Sequence, residues 1–229
     1  MVLLAVCDAH YTFTVVDIGG YGRDNDASIF GESYIGQVFQ QELIQLPQPE
    51  SINGIQLPYT LVGNEIFPLK EWLMKPYPGS HLILEKRIYN YRQSRARCTI
   101  ANTFGILAAK WRIFRRPIRA TQETVERIIK ATVCLHNYVR LTDNAHYVPT
   151  GFVDSENNNG EIIPGDWRDI VNIANDTSLA LRSRNHVSGN RYTFEADTAR
   201  NNFLQYFNSK EGELPWQLQH VEDNTRITD

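Results

Sequence analysis

Ile100, Phe104, Leu107, Trp111 and Phe114 recur at steps of three and four residues, which places them on one side of an α-helix. The spacing predicts a helix from about Tyr91 to Phe114. Pro117 ends it, because its ring and missing N–H cannot continue the ladder. A second helix is expected from about Glu123 to Arg140, where Val125, Ile128, Ile129, Thr132, Val133, Leu135 and Tyr138 cover a wide apolar arc. The chain has 229 residues, with 4 Trp, 11 Tyr and 10 Phe, enough for one sizeable core.

The segments before these helices are short and rich in β-branched and aromatic types. Residues 2–7 and 11–16 read as two strands of a hairpin turned at Asp8, Ala9 and His10. Residues 17–23 read as a glycine-rich loop. Asp26 is placed to cap a helix that breaks near Gly31 and resumes over residues 34–43. Residues 46–58 read as a loop, 59–63 as a third strand ending at Asn64, 67–74 as a short helix and 75–80 as a loop. After Leu141 the chain changes character. A turn is expected at residues 157–160, a polar and basic stretch at 179–190, one amphipathic helix at 194–208, and disorder in the last dozen residues. Strands followed by helices give an α/β class. Two parts are expected, residues 1–141 and an extension over 142–229.

Net charge is -3, which does not describe a basic nucleic-acid binder as a whole. The distribution says more. Lys86, Arg87, Arg92, Arg95, Arg97, Lys110, Arg112, Arg115, Arg116 and Arg119 fall in one stretch that holds no Asp or Glu, so the remainder is strongly acidic. Such asymmetry points to a phosphate-facing surface, with Arg95, Arg97, Arg112, Arg115 and Arg116 as candidate nucleic-acid-binding residues. The alternative is a solvated helix face that pairs with the acidic remainder. Cys7, Cys98 and Cys134 have no zinc spacing and read as free thiols of an intracellular protein. No stretch is long and apolar enough to span a bilayer. His136, alone on a mostly apolar helix, is expected to be a hydrogen-bonded structural residue. Gly19, Gly20 and Gly22 make no phosphate-binding fingerprint.

Several stretches taken together, in order, resemble the PIF/Harbinger transposases and the nuclease-like proteins domesticated from them. They are residues 2–8, 13–19, 22–30, 62–69, 94–97, 102–107, 111–114 and 135–138, with 206–209 and 215–217 near the end. The resemblance implies an RNase H-like α/β fold. It also implies an ancestral reaction in which two divalent ions, Mg²⁺ or Mn²⁺, are held by a DDE triad of carboxylates and activate an in-line attack on a phosphodiester. Such hard ions want anionic oxygen ligands.

This sequence departs from that pattern at every triad position. The first Asp of the family lies on a strand upstream of the segment that begins here at Val2. The second corresponds to Asn64 and the third to Ala101. Asp17, Asp26 and Glu65 are the remaining carboxylates that could serve a metal, and Asp26 is better explained as a cap. No bound metal is therefore expected. Absence of the first strand would leave open hydrogen-bonding edges that need a partner or lower solubility. Ala101, Gly105 and Ala108 form a small-residue face expected to approach Asn64.

Three functions are compatible with these features. The first is a catalytically dead transposase relic that still binds DNA. The second is a nuclear protein-interaction module. The third is a fragment of an active metal-dependent nuclease. The resemblance further implies residence in the nucleus and a Myb-like DNA-binding partner protein.

Overall fold

The computed structural model describes residues 1–20, 30–41, 43–172 and 192–226. The chain opens with β1 (Val2–Cys7) and β2 (Phe13–Gly20), an antiparallel hairpin. Its turn is fixed by Asp8, whose Oδ1 accepts the backbone N–H groups of His10 at 2.8 Å and Thr12 at 2.9 Å. The second strand runs further than residues 11–16. Asp17 pairs with Leu4 and Gly20 with Val2, so the expected loop begins later. A register shift between Val2 and Leu3, opposite the glycines, absorbs them as a bulge. Asp26 and its capping role lie outside the described residues. The helix α1 (Tyr34–Gln40) resumes after Gly31 as expected, with the Ser33 side chain accepting the Gly36 N–H.

Two local readings need correction. Residues 46–58 are not all loop: β3 (Glu50–Ile52) and β4 (Ile55–Leu57) form a hairpin around Asn53 and Gly54, both at positive φ. Asn-Gly is the strongest short hairpin signal, because both residues tolerate the left-handed turn. Residues 67–74 are not a helix either. β6 (Leu73–Met74) pairs in parallel with β5 (Leu61–Val62), and the chain between them doubles back through a turn at Asn64 and Phe67. Its apolar residues would suit a helix, but the ladder offered by β5 overrides local preference.

The remaining elements are α2 (Leu84–Lys110), a 3₁₀ turn (Arg112–Arg115), α3 (Gln122–Thr142), α4 (Asn144–Tyr147), the pair β7 (Ser155–Glu156) and β8 (Ile162–Ile163), α5 (Trp167–Asn172), α6 (Phe194–Phe207) and α7 (Gln217–Arg226). α2 begins seven residues earlier than its stripe suggests, because Ile88 and Tyr89 are buried on a different face. It leaves α geometry at Trp111, short of Phe114. α7 occupies most of the tail expected to be disordered. It is tied down by the buried Gln217 and Val221, with Arg92 Nη1 donating to Gly212 O at 2.7 Å and Gln217 Oε1 at 3.1 Å.

The expected stripe is the centre of the main core. Ile100, Phe104, Leu107, Trp111 and Phe114 pack with Phe13, Leu3, Val16 and Ile18 of the hairpin and with Ile129 and Val133 of α3. Its fully buried members, Phe13, Leu107, Ile129 and Val133, each stabilise by about 1.5–3 kcal/mol relative to exposure. A second face of α2 carries Ile106 and Ala109 against Tyr147, Phe152 and Trp167. A third carries Tyr89 against Phe207 of α6. Among the described residues, no helix is long and apolar enough to cross a membrane.

His136 sits fully buried where the hairpin, α3 and α4 meet. One ring nitrogen is 2.8 Å from the Tyr11 carbonyl, which can only accept, so Nε2 carries the proton. Nδ1 then accepts from the Tyr147 hydroxyl at 3.0 Å, and that hydroxyl accepts the Trp111 indole N–H at 3.1 Å. The expected structural role holds. Burial, more than the opposing hydrogen bond to Tyr11, lowers the His136 pKa from its ordinary value of 6.5, and the Arg140 charge adds to the lowering. The unfolded chain therefore takes up a proton at this side chain before the folded one does. The contribution is complete above about 6.5 and is lost as pH falls below that value. Thermal melts should show the wild type losing more stability between neutral and mildly acidic pH than His136→Gln. Equal pH dependence would remove His136 from the explanation.

Candidate functional site

The corner where β5 ends is built by the pairing of β5 with β6. Gly63 N–H donates to Met74 O at 2.9 Å, which sets Lys75 across from Gly63 and Asn64. Asn64 then turns the chain: its Oδ1 accepts the Ile66 N–H at 3.1 Å and its carbonyl accepts the Phe67 N–H at 3.3 Å. Gly63 makes the turn possible, since a Cβ there would press into the Phe67 ring. Lys75 is buried, and its Nζ lies 3.4 Å from the Glu65 carbonyl oxygen. From α2, Arg97 reaches the Glu65 carboxylate at 3.8 Å. Ala101 lies one helical turn beyond Arg97, on the same side of α2. Asn64, Glu65 and Lys75 thus share one corner, which Arg97 of α2 reaches, and Ala101 lies one helical turn along α2 from Arg97.

Asp17 does not join it. Asp17 lies on β2, where its Oδ2 accepts the Tyr34 N–H at 2.7 Å and fixes the start of α1. Asp26 is outside the described residues. Gly105 does not face β5 as expected, because a Cβ at that position would collide with the Trp167 indole of α5. The same turn of α2 carries Asn102, whose Oδ1 accepts the Trp167 indole N–H at 2.9 Å and the Asp154 N–H at 3.1 Å.

The basic stretch divides into engaged and free cations. Arg95 pairs with Glu156 at 2.6 Å and is mostly buried. Arg115 donates to the carbonyl oxygens of Ala108 and Ala109 and so caps the C-terminal end of α2. Arg87 and Arg92 hold α7 and the turn before it, through Val221 O and Gly212 O. Lys110 lies over the Phe152 ring at 4.3 Å, and burial lowers its pKa. By contrast Arg112, Arg116 and Arg119 are exposed and make no hydrogen bond or ion pair with the described residues. These three bracket Pro117 on the turn between α2 and α3. Trp111 and Phe114, interleaved with them, are packed into the core and offer no open stacking surface.

Residues 1–137 match the DDE superfamily endonuclease family. The chain belongs to that family. The match takes in β1 through most of α3, including Asn64, Lys75, Arg97, Ala101 and the basic turn. A curated relative, Protein ALP1-like from Arabidopsis thaliana, is 28% identical over 148 residues, covering 61% of this chain and 35% of that protein. The chain thus spans about a third of the length of that relative. No solved structure matches the chain.

Nucleases of this superfamily typically use a divalent metal, and the residues at the corner do not fit one. A hard cation needs anionic oxygens. Asn64 is neutral and its side-chain oxygen already accepts a backbone N–H; Ala101 has no donor atom; the Glu65 carboxylate faces Arg97. Among the described residues, no group of three His, Cys, Asp or Glu side chains could hold a metal ion. Lys75 adds a positive charge. Burial, then the nearby Arg200 charge, lowers its pKa, while Glu65 opposes the shift. Sequence reasoning missed Lys75 because residues 75–80 read as a loop and the two-residue strand before it has no legible pattern. It counted Arg119 in the basic stretch without singling it out, although Arg119 follows Pro117 on an exposed turn.

The division of the arginines has a direct consequence for stability. Removing Arg95 strips a charged partner from Glu156, which also accepts from the Tyr91 hydroxyl at 2.5 Å and the Trp216 indole N–H at 3.2 Å. In urea unfolding, Arg95→Ala should lose about 1.5–3 kcal/mol. Arg112→Ala should stay within about 0.5 kcal/mol of the parent. Equal losses for the two would mean that this division is wrong.

Proposed function

We propose that this chain derives from a Harbinger-type transposase with an RNase H-like domain, that it binds DNA, and that it does not cleave it. The observation that carries this reading is the conjunction of two features within the family-matched segment. A turn presents Arg112, Arg116 and Arg119 unpaired to solvent, while the corner at Asn64 and Ala101 lacks the carboxylates that metal-dependent cleavage requires. The nuclease-like part is residues 1–141, and residues 142–229 are its extension. Mg²⁺ or Mn²⁺ belongs to the ancestral reaction and is not retained. Residence in the nucleus and a Myb-like partner follow from the same descent.

Contacts of this kind go to phosphates. Arginines on an exposed turn neutralise backbone charge, and bases find no free aromatic platform beside them. Among the five arginines expected from the sequence to meet DNA, Arg112 and Arg116 retain that role and Arg119 joins them. Arg95 and Arg115 serve the fold, and Arg97 serves the corner.

A second reading, a protein-interaction module, draws on the exposed Leu135, Tyr138 and Leu141 at steps of three along α3. Fluorescence anisotropy with labelled duplex DNA in chelator separates the two. Three phosphate contacts should give a slope of log affinity against log salt of about −2.7. Replacing Arg112, Arg116 and Arg119 by Ser should abolish binding, whereas Arg115→Ser should weaken it little. No binding at low salt would favour the interaction module.

A further inference from the structure

The corner has done more than lose ligands. Lys75 Nζ sits on the Glu65 carbonyl oxygen, an oxygen of the kind a divalent ion would take, and Arg97 faces the Glu65 carboxylate at 3.8 Å. Both positive charges therefore converge on the residue next to Asn64. Arg200 stands behind Lys75 as a third cation, with its own partner Asp197 at 2.9 Å. Among the described residues, the printed contacts set two cations, Lys75 and Arg97, against Glu65. Lys75 is only 6% exposed, so water and salt screen its charge poorly. Its position is fixed by the ladder between Gly63 and Met74 and does not depend on a flexible loop.

We infer that Lys75 excludes divalent cations from this corner, so that restoring the carboxylates at positions 64 and 101 would not by itself restore metal binding. A buried ammonium already takes the Glu65 carbonyl oxygen. An incoming divalent ion would have to displace it from the Glu65 carbonyl and sit within a few ångströms of its charge, where the repulsion outweighs what one or two new carboxylates supply. Metal binding was then blocked twice, by removal of ligands and by a resident cation. The inference concerns the corner alone and is independent of whether the basic turn binds DNA.

The test is Mn²⁺ binding by the full chain, followed through the free-ion electron paramagnetic resonance signal and by calorimetry, with no nucleic acid present. Circular dichroism melts confirm that each variant is folded. Asn64→Asp with Ala101→Glu should bind Mn²⁺ no better than the parent. Adding Lys75→Met, or Lys75→Gln if the first does not fold, should tighten binding by about tenfold or more. Adding Lys75→Arg, which keeps the charge, should leave it unchanged. Tight binding by the double variant with Lys75 in place would overturn the inference. So would absence of binding in every variant, because removal of the charge is then not what matters.

Discussion

The Asn102 side chain accepts the Trp167 indole N–H and the Asp154 N–H on the turn of α2 where Gly105 leaves room for the indole. That contact decides what kind of helix α2 is. With Trp167, Phe152 and Tyr147 on one side and the β1–β2 hairpin and α3 on another, its C-terminal half is covered on two faces. Its N-terminal half is covered by α6 and α7 through Tyr89 and Arg92. Asp154 is itself held by Gly165 N–H and by two hydrogen bonds from Arg168, so the segment that closes over α2 is anchored at both ends. Arg97 and Ala101 lie on α2, and Glu65 meets the helix through Arg97.

Enclosure of α2 also explains how its charge is distributed. Cations on its covered stretches are held in place: Arg95 by Glu156, Arg92 by a carbonyl and an amide, Arg115 by the last carbonyls of the helix. Among the described residues of the basic stretch, Arg112, Arg116 and Arg119, where the chain leaves α2 beyond the covering elements, face water without partners. Charge asymmetry in the sequence thus splits into a structural half and a solvent-facing half. The reading of a helix face that pairs with acidic residues describes Arg95 and Arg97.

Much of this was legible beforehand. The stripe from Ile100 to Phe114 and the arc of α3 were visible because helical periodicity survives wherever one face meets a large core. The hairpin at Asp8 and the role of His136 were also visible. The errors have identifiable causes. α2 starts at Leu84 because Tyr89 faces Phe207 of α6, which periodicity about a single face cannot show. β6 and the docking of α7 depend on contacts remote in sequence. The β3–β4 hairpin was different in kind, since Asn53-Gly54 announces it locally. At the candidate site, neutral Asn64 and Ala101 were read from family resemblance. The meeting of Lys75 and Arg97 at Glu65 required the fold.

In a chain of a family that typically uses divalent ions, the turn after β5 carries the Asn64 amide and the Glu65 carboxylate, with Lys75 and Arg97 as charged neighbours. DNA that meets this chain should be bound without being cut. Supercoiled plasmid incubated with the purified chain at low salt, in Mn²⁺ and in chelator, tests this on one gel. Retarded but intact supercoiled DNA under both conditions is the expected result. Nicks that appear with Mn²⁺, vanish with chelator and are lost when Asp17 or Glu65 is replaced would contradict it.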